Sequence, residues 1–171
     1  MELVPTPTQT IGPFFHLALT TRDTLARLAR SDAKGERIRL AIRVLDGDGA
    51  PVDDAMIEIW HADGAGDYGP GVFARLATNE SGTCVFETVK PASVAEIHAP
   101  HLNVAVFARG LLKQLITRVY FAGDPANQND PILALVPANR RDTLLAQTHE
   151  SAQWNFEIRL SGGGETVFFD V

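Results

Sequence analysis

Over residues 38–44 large apolar side chains recur at every second position, with Arg39, Ala41 and Arg43 between them, and the run stops at Asp46-Gly47-Asp48-Gly49. A period of two is that of a strand with one face in a core. Residues 56–60 repeat it before Asp63-Gly64-Ala65-Gly66-Asp67, and residues 83–89, 102–108 and 115–121 continue the series. Two further runs, 155–160 and 166–169, are joined through Gly162-Gly163-Gly164. Helical periodicity is sparse. It predicts one short helix over residues 25–30 and another over 139–148, with Asn139 as cap and Asp142 imitating a capping box. Seven or more short strands separated by turns predict an all-β fold, a β-sandwich core with long loops and one or two short helices.

Ahead of the strands, Pro5-Thr6-Pro7-Thr8-Gln9-Thr10-Ile11-Gly12-Pro13 carries three prolines. Proline removes a backbone donor and biases its predecessor toward extended conformations, so this stretch reads as an extended arm. Ile11, Phe14 and Phe15 give the arm an apolar surface that water disfavours at about 25 cal/mol per Å², so it is expected to lie on its own domain or on a neighbour. The expected division is an arm with a short helix over residues 1–37, contacting a partner, and a β-sandwich domain over 38–171.

Composition narrows the function. The chain has 171 residues, enough for one domain, with 15 basic and 21 acidic side chains and a net charge of −6. An acidic chain without a basic face argues against a nucleic-acid binder. A single cysteine, Cys84, excludes an intrachain disulfide framework and a four-thiolate zinc site. No apolar run approaches the ~20 residues of a membrane helix, and Met1-Glu2-Leu3-Val4-Pro5 lacks a signal-peptide pattern, so a cytoplasmic setting is expected. No phosphate-cradling G-x-x-x-x-G-K-[ST], G-x-S-x-G nucleophile turn or nucleotide fingerprint occurs.

Several segments, in order, resemble one family. They are Thr8-Gln9-Thr10-Ile11-Gly12-Pro13-Phe14-Phe15-His16, then residues 57–68 (Ile-Glu-Ile-Trp-His-Ala-Asp-Gly-Ala-Gly-Asp-Tyr), then Ala99-Pro100-His101-Leu102-Asn103-Val104 and Phe107-Ala108-Arg109-Gly110. Thr117-Arg118-Val119-Tyr120-Phe121 and residues 164–170 complete the set. Together they are similar to the intradiol ring-cleaving dioxygenases, over nearly the whole chain. The resemblance implies oxygen-dependent cleavage of a catechol between its two hydroxylated carbons, with a ferric iron held by two tyrosinates and two histidines.

This chain has two tyrosines and five histidines. By the resemblance, Tyr68 stands at the first tyrosinate position, while Ala92-Ser93-Val94 occupies the place of the second. The paired histidines correspond to His101 and Asn103, and Tyr120 matches neither phenol. Two of four ligands remain, so Tyr68, His101 and Asn103 are read as degenerate remnants, with no metal and no complete catalytic centre in this chain. Without iron, Tyr68 and His101 are expected to hydrogen-bond one another or a water.

The resemblance then implies the metal-free α subunit of a hetero-oligomer of α/β units, in which the β subunit bears Fe(III) and the substrates are protocatechuate and O2. The positions carried over to substrate binding are Thr10, Gly12, Pro13 and Phe14 on the arm and Arg118 on the Thr-Arg-Val-Tyr-Phe strand. Phe14 departs from the family, which commonly has tyrosine there. Arg118 fits chemically, because a guanidinium takes a carboxylate through paired, charge-assisted hydrogen bonds.

Other readings stay in view. His98-Ala99-Pro100-His101 with Cys84 or Glu96 imitates a zinc site, but Pro100 opposes the helix that would align the imidazoles. His16, His61 and His149 read as isolated structural histidines. Glu58, if it faces inward, needs a partner, for which Arg109 is the candidate. A catalytically silent β-sandwich binding or scaffold protein is the alternative from another class.

Overall fold

The computed structural model describes residues 5–12, 14–20, 33–69 and 73–170. The helix expected over 25–30 lies outside them, as do Pro13 and the side chains of His16 and His149. Among the described residues eight strands form: β1 (Arg37–Leu45), β2 (Met56–Trp60), β3 (Phe73–Ala77), β4 (Thr83–Val89), β5 (His101–Phe107), β6 (Leu115–Phe121), β7 (Leu145–Glu150) and β8 (Gln153–Arg159). Their order is β3-β2-β5-β6-β7-β8-β1-β4. The first four pair antiparallel, and the second four include the parallel pair β1–β8. A short parallel ladder, Tyr120↔Leu145 and Phe121↔Ala146, joins the two halves. That short seam lets the sheet fold over on itself as a sandwich, with its two edges, β3 and β4, brought into contact.

The period of two decides what enters the core. Leu40, Ile42 and Val44 of β1 meet Ile57 and Ile59 of β2, Phe86 of β4, Leu102, Val104 and Val106 of β5, Val119 and Phe121 of β6, and Ile158 of β8, all essentially buried. The intervening residues of β2, β5 and β6 face away from this core. A smaller cluster of Ala99, Tyr120, Leu133, Val136 and Leu144 covers one end of that outer face. It is built by α2 (Pro131–Leu135) and by 3-10 turns over Pro125–Asn129 and Ala138–Leu144. Ahead of β1, α1 (Phe15–Leu19) is a five-residue helix without a side-chain cap. No helix among the described residues is long and apolar enough to cross a membrane.

Three sequence expectations are corrected. Residues 139–148 are not one helix: a 3-10 turn ends at Leu144 and the chain continues as β7. Asn139 lies inside that turn, whose N-cap is Pro137 without a side-chain bond. The edge of β8 takes over where capping is lacking, pairing Gln147 with Asn155 and Thr148 with Trp154. Residues 166–169 make only the bridge Phe169↔Ile116, and Thr166 caps the end of β8 by accepting from Arg159 N–H at 2.9 Å. The edge strand β3 carries little alternation and was not expected.

His61 is fully buried directly after β2. Its Nδ1–H donates to the Ala62 carbonyl at 2.6 Å, and its Nε2 accepts from the Thr88 hydroxyl at 2.9 Å. Both bonds are made by the neutral ring, and burial depresses its pKa below 6.5. A depressed histidine contributes stability that is present above the unfolded pKa, and is lost as pH falls below it because the unfolded chain takes a proton that the fold refuses. His101, depressed chiefly by burial, adds in the same direction. The thermal midpoint is therefore expected to drop between about pH 7 and about pH 5, above the carboxylate range. His61→Asn should flatten that slope, and a midpoint level across this window would contradict the assignment.

Candidate functional site

The outer face of β2-β5-β6 collects the family-like residues by register. Trp60 pairs with Asn103, and Asn103 with Arg118, so these three side chains form one row. The next row along the strands is His101 opposite Tyr120. Side chains directly opposite one another lie about 5 Å apart at Cβ, so the rows make one continuous patch.

Tyr68 reaches this patch from the loop after β2. Asp63 shapes the loop, accepting at one carboxylate oxygen from the Ala65 and Asp67 N–H groups at 2.7 and 3.1 Å. The Ala65 N–H is the main reason that its carboxyl is held below the usual range. A Cβ at Gly64 would lie 2.3 Å from the Gly35 Cα, so only glycine lets the loop pack there. Tyr68 meets Trp60 edge to face with ring centroids 5.3 Å apart, and both rings stay partly exposed.

At the covered end, Asp130 is fully buried and caps α2. One oxygen accepts from the Ile132 and Leu133 N–H groups at 2.9 and 2.8 Å and from the Tyr120 hydroxyl at 3.0 Å. The other accepts from the Ala99 N–H at 2.9 Å. Burial pushes this carboxyl up, but the Leu133 and Ala99 N–H groups and the Tyr120 hydroxyl outweigh it and hold it below the ordinary range. Burial also pushes the Tyr120 phenol up to about 12, so it stays protonated and able to donate. The Tyr120 oxygen in turn accepts from Arg118 Nη1 at 3.5 Å. Arg118 is half-buried and meets no carboxylate among the described residues.

His101 and Tyr68 do not bond one another. His101 Nδ1 donates to the Ala99 carbonyl at 2.7 Å, and its buried Nε2 has no partner among the described residues. That tautomer is the one a metal-ligating imidazole needs. The rest of the set does not fit a ferric ion. Asn103 presents an amide whose Nδ2 donates to the Trp60 carbonyl at 3.3 Å, and the neighbouring Arg118 guanidinium already places a positive charge on the same row. The His98 and His101 rings lie 6.1 Å apart, yet no three His, Cys, Asp or Glu side chains among the described residues are grouped to hold a metal ion.

The Thr10 hydroxyl accepts from the Gly110 N–H at 2.8 Å, in the turn between β5 and β6. Gln9 and Ile11 line a cavity of about 140 Å³ beside Phe107 and Leu111. Gly12 and Phe14 are exposed, Phe14 by 74%. Because Leu115 already pairs with Val106, the turn holding Thr10 is about 10 Å or more along the sheet from Arg118, at roughly 3.4 Å per residue. The structure therefore gathers Arg118, Asn103, His101 and Tyr68 on one face, with Thr10 at the β5–β6 turn. The expected Glu58–Arg109 pair is not made: Glu58 takes Arg75 Nε at 2.7 Å across β2–β3, and Arg109 takes Asp54. Trp60, Tyr120 and Asp130 were missed as members of this face. The one signal in the sequence was Asp130-Pro131, an N-cap followed by proline at the first helical position.

A protein-family model described as dioxygenase matches residues 10–96. The protocatechuate 3,4-dioxygenase α chain of Burkholderia cepacia is 41% identical, the alignment covering 99% of this chain and 98% of that one. The β chain from the same organism is 32% identical over 77% of this chain and 67% of its own length. Among solved structures, the dioxygenase domain of a carbohydrate-binding fusion protein from Streptomyces sp. SirexAA-E superposes with a TM-score of 0.69 at 24% identity, covering 94% of this chain and all of that one, which places the fold. The chain belongs to the intradiol ring-cleaving dioxygenase family and stands with its protocatechuate 3,4-dioxygenase α chains.

Proposed function

We propose that this chain works as the α subunit beside a β subunit that carries the ferric iron, in a reducing compartment such as the cytoplasm. The complex converts protocatechuate and O2 to 3-carboxy-cis,cis-muconate by opening the ring between the hydroxylated carbons. The α chain orients the substrate: Arg118 holds the carboxylate, and the arm over residues 1–37, through Thr10, Gly12, Pro13 and Phe14, reaches the partner and narrows the cavity, while residues 38–171 form the supporting domain. Positioning of this kind is worth several kcal/mol of barrier without a chemical step.

The observation that carries this reading is Arg118, a half-buried guanidinium without a carboxylate partner among the described residues, beside an Asn103 amide where the family's second histidine is expected. Arginine so placed recognises an external carboxylate. The test is the visible spectrum and the ring-cleaving activity of the chain purified alone and co-expressed with the β chain. Tyrosinate on ferric iron absorbs in the visible, so the chain alone is expected to be colourless and inactive and the complex coloured and active. A coloured, active chain alone would overturn the division of labour.

A further inference from the structure

A lone arginine on a protein surface tends to be drawn into an ion pair, which would neutralise it for any ligand. Arg118 has a buried carboxylate nearby in Asp130 and yet does not touch it. Between them stands the Tyr120 hydroxyl, donating to Asp130 Oδ1 at 3.0 Å and accepting from Arg118 Nη1 at 3.5 Å. Asp130 is held in turn by three backbone N–H groups, and Tyr120 is fully buried between His101 and the cover formed by α2. The direction of the tyrosine O–H is thus decided by the carboxylate, which aims an oxygen lone pair at the guanidinium. One N–H of Arg118 is used in this bond, and the remaining donors of the planar fork meet no acceptor among the described residues.

We propose that Tyr120 and Asp130 are positioning residues for Arg118, a spacer and its anchor that aim the guanidinium while keeping it unneutralised for the carboxylate of the aromatic substrate. The inference rests on the reading that Arg118 meets that carboxylate. Asp130 supplies the countercharge at second remove: close enough to favour the arginine's place on the sheet, too far to compete with an incoming anion. A direct Arg118–Asp130 pair would give the first effect and abolish the second.

The test uses the assembled α/β complex and two substrates that differ only in the carboxylate, protocatechuate and catechol. Tyr120→Phe keeps the ring and removes the hydroxyl. Losing one hydrogen bond of roughly 1 kcal/mol corresponds to about a fivefold rise in the KM for protocatechuate relative to that for catechol. Asp130→Ser, which keeps an oxygen to cap α2 but is too short to hold the tyrosine, is expected to shift the ratio in the same direction, and serves if Tyr120→Phe does not assemble. In an Arg118→Ala background Tyr120→Phe should leave the ratio where Arg118→Ala alone puts it. If Arg118→Ala shifts the ratio while neither Tyr120→Phe nor Asp130→Ser does, the spacer role is wrong and the carboxylate role of Arg118 stands. If Arg118→Ala itself leaves the ratio unchanged, the reading on which the inference rests has failed.

Discussion

Arg118→Ala is expected to raise the KM for protocatechuate by about 10- to 100-fold, the equivalent of roughly 1.5–3 kcal/mol for hydrogen bonds to a charged group. The KM for catechol, which has no carboxylate, should change far less. The asymmetry follows from the surroundings of the side chain. Arg118 lies on a sheet face beside Asn103 and Tyr120, contributes nothing to the core on the far side of the sheet, and lacks a carboxylate partner among the described residues. Its removal should therefore cost ligand binding rather than folding. Arg118→Lys should recover part of the loss, since a lysine supplies the charge without the planar fork. Steady-state kinetics of the complex on both substrates settle it, and equal losses on the two would remove the carboxylate role.

The second large effect is on stability. Asp130→Ala strips acceptors from the Ile132, Leu133 and Ala99 N–H groups and from the Tyr120 hydroxyl in one step. A lost helix cap costs about 1 kcal/mol, and each buried donor left without an acceptor about 1–3 kcal/mol more. A total on the order of 3 kcal/mol is expected, a large part of a stability that is typically about 5–15 kcal/mol. Thermal melting of the complex reads it directly. Asp130→Ser should lose less than Asp130→Ala because the cap of α2 survives. A change for Asp130→Ala within about 0.5 kcal/mol, the range of ordinary surface substitutions, would mean that the network does not brace this end of the sheet.

Much of the architecture was legible in the chain. β1, β2, β4, β5, β6 and β8 announce themselves by alternation with turns between, because a half-buried strand writes its two faces into the sequence residue by residue. β7 did not, since Asn139 and Asp142 suggested a helix and the edge of β8 outweighed that weak local preference. β3 is a five-residue edge strand that buries little and so leaves little pattern.

The candidate site divides in the same way. Tyr68, His101, Asn103 and Arg118 were singled out through the family resemblance, which compares residue types position by position and needs no contact between them. That Trp60, Asn103 and Arg118 share a row, that Glu58 pairs with Arg75 rather than Arg109, and that Tyr120 stands between Arg118 and Asp130 were decided by tertiary structure. Strand periodicity is local, so the sequence by itself determined the strands, the faces they offer to a core and the residue types available for chemistry. The partners of those residues are set by register between strands distant in the chain and by the loop from Gly123 to Leu144 folding back over the sheet, contacts that follow from burying the most apolar surface at once and leave no period to read.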